Sequence, residues 1–194
     1  MRIVAGAAKG RRLTVPAIGV RPTPDRVREA LFSSLADVVV DADMLDLFAG
    51  SGAVGLEALS RGARSVTFVE NDSKTAAVVR QNIDTVGLDG AHLNSQSAAQ
   101  FLQKTPQKAF TLVFLDAPYS VETATIDTYL AALTPHLADQ ATVVVERDRK
   151  QAPPTFPHGF DAPREKRYGS VKLYRALWRT DGSVTTQRTT GENP

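Results

Sequence analysis

From residue 44 to residue 147, short apolar runs rich in β-branched residues alternate with segments of helical period. MLDLFA, SVTFVE, AHLNS, FTLVFLD and ATVVVER read as strands. Between them AVGLEALSRG, SKTAAVVRQNIDTVG (stopping at Gly87), AAQFLQK and ETATIDTYLAALTPHL read as helices. Parallel strands need a long crossover, so repeated β–α units of this length predict an α/β, Rossmann-like, mainly parallel sheet with helices on both faces. Before this series, RIVAGAAKGRRLTVP predicts two short strands around a Gly/Lys turn. DRVREALFSSLADVV predicts an amphipathic helix on Val27, Ala30, Leu31, Leu35 and Val38, with Thr23 or Asp25 as N-cap. After it, APREKRYGSVKLYRALWR predicts a hairpin around Tyr168-Gly169 at a sheet edge. The chain thus divides into a basic N-terminal β-hairpin extension (1–24), one α/β domain (25–180) and a polar tail (181–194) whose composition predicts disorder.

Composition narrows the chemistry. The 194 residues suit one domain, and 42% apolar residues suffice for a packed core. No apolar run approaches the ~18 residues of a membrane span, and MRIVAGAAKG lacks the apolar core of a signal peptide, so a cytoplasmic protein without membrane contact is expected. There is no cysteine, which excludes disulfides, thiolate metal sites and cysteine nucleophiles. His92, His136 and His158 are scattered without ligand spacing, so no metal is expected. Charge is uneven: residues 1–28 carry a net +6, residues 163–180 a net +5, and residues 29–162 a net −8. Basic segments at both ends of an acidic body predict a polyanion-binding surface, the alternative being ordinary solvated charge.

LDLFAGSGAVGLEAL joins the first strand of the series to its helix, and Gly50, Gly52 and Gly55 form G-x-G-x-x-G. Such a turn lets a ligand approach the backbone at a helix N-terminus. An acid, Glu70, ends the following strand, where it can accept hydrogen bonds from two ribose hydroxyls. Either a dinucleotide or S-adenosylmethionine fits this much. Asp46 lies inside an apolar strand, where an unpaired carboxylate is costly. A cationic ligand or the amino group of a methionine moiety would satisfy it; so would nearby backbone N–H groups. The run Asp46 to Gly52, DLFAGSG, resembles the S-adenosylmethionine motif of class I methyltransferases.

The strand TLVFLD runs into DAPY at residues 116–119. In open α/β sheets ligands sit beyond the carboxyl ends of strands, so Asp116 is expected to share a crevice with Gly50 and Glu70. DAPY resembles the (D/N)-P-P-(Y/F) motif of methyltransferases acting on exocyclic amines of nucleobases. Asp116 and the carbonyl of Ala117 can accept the two amine hydrogens, and Tyr119 can stack on the base. Pro118 holds Ala117 extended, which aims that carbonyl. Guanine presents N1–H beside its N2 amine, two donors that one carboxylate can bridge; this favours guanine N2, although DPPY also occurs in adenine enzymes. Cytosine C5 chemistry normally uses a cysteine, which is lacking.

RIVAGAAKGRRLTVP, RPTPDRVREALF, LDLFAGSGAVGLEALSRGA, the VEND segment, DAPY and REKRYGSVKLY, in this order, resemble the RsmD family of bacterial methyltransferases. The resemblance covers about residues 2–178. It implies S-adenosylmethionine-dependent methylation of guanine N2 in 16S ribosomal RNA, as free RNA or in a small-subunit particle, by a protein with a seven-stranded sheet; a monomer is expected. It places Asp46, Phe48, Gly50, Ser51, Gly52, Glu70, Asn71, Ser97 and Ala98 around the cofactor, and Asp116, Ala117, Pro118 and Tyr119 around the guanine. It assigns Arg11, Arg12, Arg21, Thr23, Arg26, Arg28, Lys166 and Arg167 to RNA, although Arg28 could instead pair with Asp25 or Glu29. Many class I enzymes carry an acid where Ser97 stands, and proline is usual where Ala117 stands. Two other readings remain: a DNA amino-methyltransferase (adenine N6 or cytosine N4), against which no long insertion follows DAPY, and a non-catalytic RNA-binding assembly factor, against which Asp116, Gly50 and Gly52 are intact.

Overall fold

The computed structural model describes residues 1–16 and 25–182. In chain order these contain α1 (Asp25–Ser34), β1 (Asp43–Asp46), α2 (Ala53–Ser60), β2 (Ser65–Glu70), α3 (Ser73–Val86), β3 (Ala91–Ser95), α4 (Ala98–Leu102), β4 (Phe110–Leu115), α5 (Thr123–Leu133), a 3₁₀ turn (Thr134–His136), β5 (Leu137–Asp148), β6 (Arg164–Tyr168) and β7 (Val171–Leu177). The strands form one seven-stranded sheet in the order β3-β2-β1-β4-β5-β7-β6. β1 to β5 are parallel; β7 runs antiparallel to both β5 and β6. The order reverses between β1 and β4, which opens a crevice beyond their carboxyl ends.

The central strands are buried on both faces, as parallel strands covered by helices must be. Alternation along each strand sends residues to two core layers. Met44, Phe68, Phe114 and Val144 pack with Phe32, Leu56 and Val79 of α1, α2 and α3. Leu45, Val69, Leu115 and Val145 pack with Leu102, Ile126 and Leu130 of α4 and α5.

Several boundaries differ from expectation for local reasons. α1 ends at Ser34, and Val38 and Val39 continue as turns with N–H groups donated to the Leu35 carbonyl. α5 stops at Leu133 because Pro135 has no N–H to continue it. β5 starts earlier than ATVVVER: it holds a bulge around Gln140 (φ 59°), across which the β4 pairing shifts from Phe110–Leu137 to Leu112–Thr142. Among the described residues the expected N-terminal strands reduce to a single antiparallel bridge between Arg2 and Arg12.

That N-terminal segment is seated on α2. Glu57, fully buried, accepts hydrogen bonds from the N–H groups of Val4 (2.7 Å) and Ala5 (3.0 Å), and Ser60 Oγ accepts one from Ala8 (2.9 Å). Gly6 passes so close that an added Cβ would lie 1.7 Å from the Ser60 carbonyl oxygen, so only glycine fits there.

Candidate active site

An open cavity of about 1020 Å³ occupies the crevice beyond β1, β2 and β4. This is at the upper end of the roughly 300–1,000 Å³ of ligand pockets, room for a nucleoside ligand and part of a second one. Its wall contains Asp46, Phe48, Gly50, Ser51, Glu70, Asn71, Ser97 and Ala98 on one side and Asp116, Ala117, Pro118 and Tyr119 on the other. Residues far apart in the chain thus meet in one space. Gly52 is the exception among this set: it stands behind the wall, close to Val79, Leu56 and Phe68.

The glycine turn is built from left-handed backbone at Gly50 (φ 56°) and Gly52 (φ 77°), which bends the chain from β1 into α2. Gly55 serves packing, because a Cβ there would lie 2.3 Å from the Phe68 ring. Glu70 fastens the turn: Oε2 accepts from Gly50 N–H (3.0 Å) and Oε1 from Asp72 N–H (2.9 Å). Each carboxylate oxygen has a second lone pair, so Glu70 keeps acceptor capacity toward the cavity. Asp46 is 1% exposed, and its Oδ2 accepts from Gly55 N–H (3.1 Å). Burial pushes its pKa up to about 7, the charges of Asp116 and Glu70 add to this, and the Gly55 N–H opposes it. Ser97 is spent on a capping box with Gln100 at the start of α4. Its side chain is already an acceptor for Gln100 N–H (3.2 Å) and a donor to Gln100 Oε1 (3.1 Å).

On the other side, Asp116 follows the last residue of β4 and remains partly exposed to the cavity. Desolvation raises its pKa well above the usual carboxylate range; Glu146 raises it further and Arg147 lowers it. Ala117 is buried, whereas the Tyr119 ring is 37% exposed. The loop is closed by Val121 N–H donating to the Pro118 carbonyl (2.8 Å). Three carboxylates, Asp46, Glu70 and Asp116, therefore share one cavity. Such a wall suits a ligand that brings positive charge, and the methionine end of S-adenosylmethionine carries both an ammonium and a sulfonium. Among the described residues no group of three or more His, Asp or Glu residues could hold a metal ion.

The basic residues fare differently. Arg28, expected at RNA, is fully buried: it lies 3.6 Å from Glu57 and donates to the Arg2 carbonyl, so it cannot reach a phosphate. It meets Glu57, while the side chain of Asp25 lies outside the described residues. Arg11 donates to the carbonyls of Val86 and Thr85, capping the end of α3. Arg12 is exposed. Lys166 and Arg167 are exposed on β6, and Arg167 pairs with Glu165 at 2.6 Å. Lys166 joins Arg164 and Arg175 around a small depression floored by Leu31, Val144 and Leu173. Arg21, Thr23 and the side chain of Arg26 lie outside the described residues.

Three contributors escape a reading of the sequence. Asn82 of α3, fully buried, accepts from Thr14 N–H (2.8 Å) and donates to the carbonyls of Thr14 (2.9 Å) and Ser51 (2.8 Å), tying the N-terminal segment to the glycine turn. Tyr129 of α5 lines the cavity with its ring 5.8 Å from that of Phe48. Arg147, fully buried, donates from Nη2 to the Val121 carbonyl (2.7 Å). An arginine at the end of the apolar run Val143–Val145, in a strand that pairs inside the sheet, was the visible signal for the last; the other two carry none.

The family model described as conserved hypothetical protein 95 matches residues 1–176. The Ribosomal RNA small subunit methyltransferase D of Escherichia coli (strain K12) is 41% identical over 180 residues, covering 90% of this chain and 89% of the relative. The protein of the same name from Haemophilus influenzae is 38% identical, covering 90% and 93%. The solved structure of Escherichia coli yhhF aligns with a TM-score of 0.83 at 38% identity, covering 92% of this chain and 98% of that one.

Proposed function

The chain belongs to the RsmD family of ribosomal RNA small-subunit methyltransferases, and on that premise we propose that it methylates the exocyclic N2 amine of a guanine in 16S ribosomal RNA. The coarser activity, S-adenosylmethionine-dependent methylation of ribosomal RNA, follows from the family. The observation that carries the finer reading is the placement of DAPY: an acceptor carboxylate, a buried carbonyl-bearing residue and an exposed ring stand in the same cavity as the glycine turn.

S-adenosylmethionine, when bound, supplies a methyl group activated by its sulfonium sulfur. Glu70 would accept from the ribose hydroxyls, and Asp46 would answer the positive charge of the methionine end. Asp116 accepts N1–H and one N2–H of the guanine, and the Ala117 carbonyl accepts the other N2–H. Tyr119 stacks on the base, which has left its own stack to reach the cavity. These residues would hold the amine toward the cofactor, so that positioning and electrostatics would do most of the work. An amine that gains a methyl group must release one proton from N2. Asp116 takes it; its raised pKa makes it a better proton acceptor than an ordinary carboxylate. Exposed Arg12 and Lys166 contribute phosphate contacts, which hold the RNA without reading its bases.

The test is methylation of small-subunit RNA from a strain lacking the gene, followed by nucleoside mass spectrometry. N2-methylguanosine is expected; methyl groups found only on adenine or cytosine overturn the guanine reading.

A further inference from the structure

β5 lies beside β4, and its exit faces the DAPY loop. Leu115 pairs with Val145 and Phe114 with Val144. Extending that register by one residue sets Asp116 level with Glu146, and the two-residue alternation assigns both to the face that carries Phe114 and Val144. Like charges in that relation repel, and Glu146 is only 3% exposed, so water screens little of it. The next residue, Arg147, is fully buried and grips the loop at the Val121 carbonyl, 2.7 Å from Nη2. Its Nε and Nη1 have no hydrogen-bond partner among the described residues. A dry guanidinium with one hydrogen bond is a poor way to stabilise a fold. Gln151, in the turn after β5, holds the same loop by donating to the Tyr119 carbonyl (2.8 Å).

We propose that Glu146 and Arg147 are positioning residues for the transfer step: one confronts Asp116 with a like charge, the other with an opposite charge, and together they decide when that carboxylate holds a proton. This deepens the reading of Asp116 as the group that accepts the amine hydrogens and then the released proton, and it rests on that reading. The electrostatics agree in sign, since Glu146 raises the Asp116 pKa and Arg147 lowers it, beneath the larger contribution of burial. Other charges face the pair: Asp46 of β1 acts on Asp116, while Asp127 of α5, Tyr119 of the loop and Tyr174 of β7 act on Arg147. Leu173 of β7, opposite Glu146, is apolar.

The two neighbours have opposite signs, so their removal must move the enzyme in opposite directions. Transfer requires Asp116 without its proton, hence an acid limb in the pH profile of kcat/KM. Arg147→Met raises the Asp116 pKa and moves this limb to higher pH; Glu146→Gln moves it to lower pH. Each shift is expected to be about 1 pH unit, the scale set by a nearby charge. Arg147→Lys keeps the charge and keeps the limb near that of the native enzyme. The measurement is single-turnover methylation of small-subunit RNA across pH 5–9, with calorimetry confirming that each variant still binds S-adenosylmethionine. A pH-independent loss of rate, or two shifts in the same direction, would overturn the proposal. If Arg147→Met does not fold, Glu146→Gln and Arg147→Lys still decide it. Mapping the base methylated by the native enzyme judges the guanine reading separately: a different amine overturns that reading, while the comparison of variants still judges Glu146 and Arg147.

Discussion

The two halves of the cavity are built on different plans. On the glycine-turn side each acid has a backbone partner: Glu70 holds Gly50 and Asp72, and Asp46 holds Gly55. On the DAPY side, Asp116 stands beside a buried like charge and near a buried guanidinium with idle N–H groups. The first half is a satisfied network, suited to holding a ligand in one geometry. The second keeps charges in tension, which disfavours a static role and suits a group that must gain and lose a proton.

The sharpest break of this contrast is Asp116→Ala. It should abolish methyl transfer, by roughly 10²–10⁴-fold or more for a lost proton acceptor, while S-adenosylmethionine binding measured by calorimetry stays near native. Retained turnover would place the chemistry elsewhere. Glu70→Ala should do the reverse, weakening the cofactor by about 1.5–3 kcal/mol. It should also lower the melting temperature, because the N–H groups of Gly50 and Asp72 lose their acceptor. Unchanged affinity would remove Glu70 from the cofactor's contacts.

A smaller effect sharpens the role of Asp46. Its pKa is pushed up to about 7, so in the free protein it is largely protonated below that pH. A cationic ligand favours the ionised form. Cofactor affinity should therefore rise with pH from 6 to 8 and then level off, by roughly up to tenfold per pH unit below the pKa. Calorimetry in buffers of different ionisation heat would detect the released proton, and Asp46→Asn should flatten the trend. Smallest is the effect at the surface. Neutralising Arg12 and Lys166 together should reduce the slope of log affinity for RNA against log salt by about 1.5, leaving the modified base unchanged. A filter-binding salt series checks this, and an unchanged slope would return both residues to ordinary solvated charge.

Charge shows where a sequence reading stops. The net +6 of residues 1–28 suggests one basic face. In the folded chain Arg28 is enclosed with Glu57 and Arg11 closes the end of α3, so two of these cations serve the fold. At the other end Lys172 pairs with Glu165, Arg175 with Asp37 and Arg179 with Asp161. Linear charge counts cannot separate these from Arg12, because partners such as Glu57 for Arg28, the Val86 carbonyl for Arg11 and Asp37 for Arg175 are brought up by packing from distant parts of the chain.

The features legible along the chain are local in origin. Strand and helix order followed from periodicity, the turn into α2 from glycines that tolerate left-handed backbone, and the end of α3 from Gly87. DAPY could be placed at a ligand crevice because parallel sheets put their loops at one end of the strands. Which residues face each other across strands follows from packing and register. Glu146 meets Asp116 because the β4–β5 register, shifted by the bulge near Gln140, brings them level; one residue of slip would turn Glu146 to the opposite face. Asn82 reaches both Thr14 and Ser51 because α3 lies between segments distant in sequence. Periodicity states which side of an element is buried, whereas register and docking state against what, and it is the second that sets the charge around Asp116.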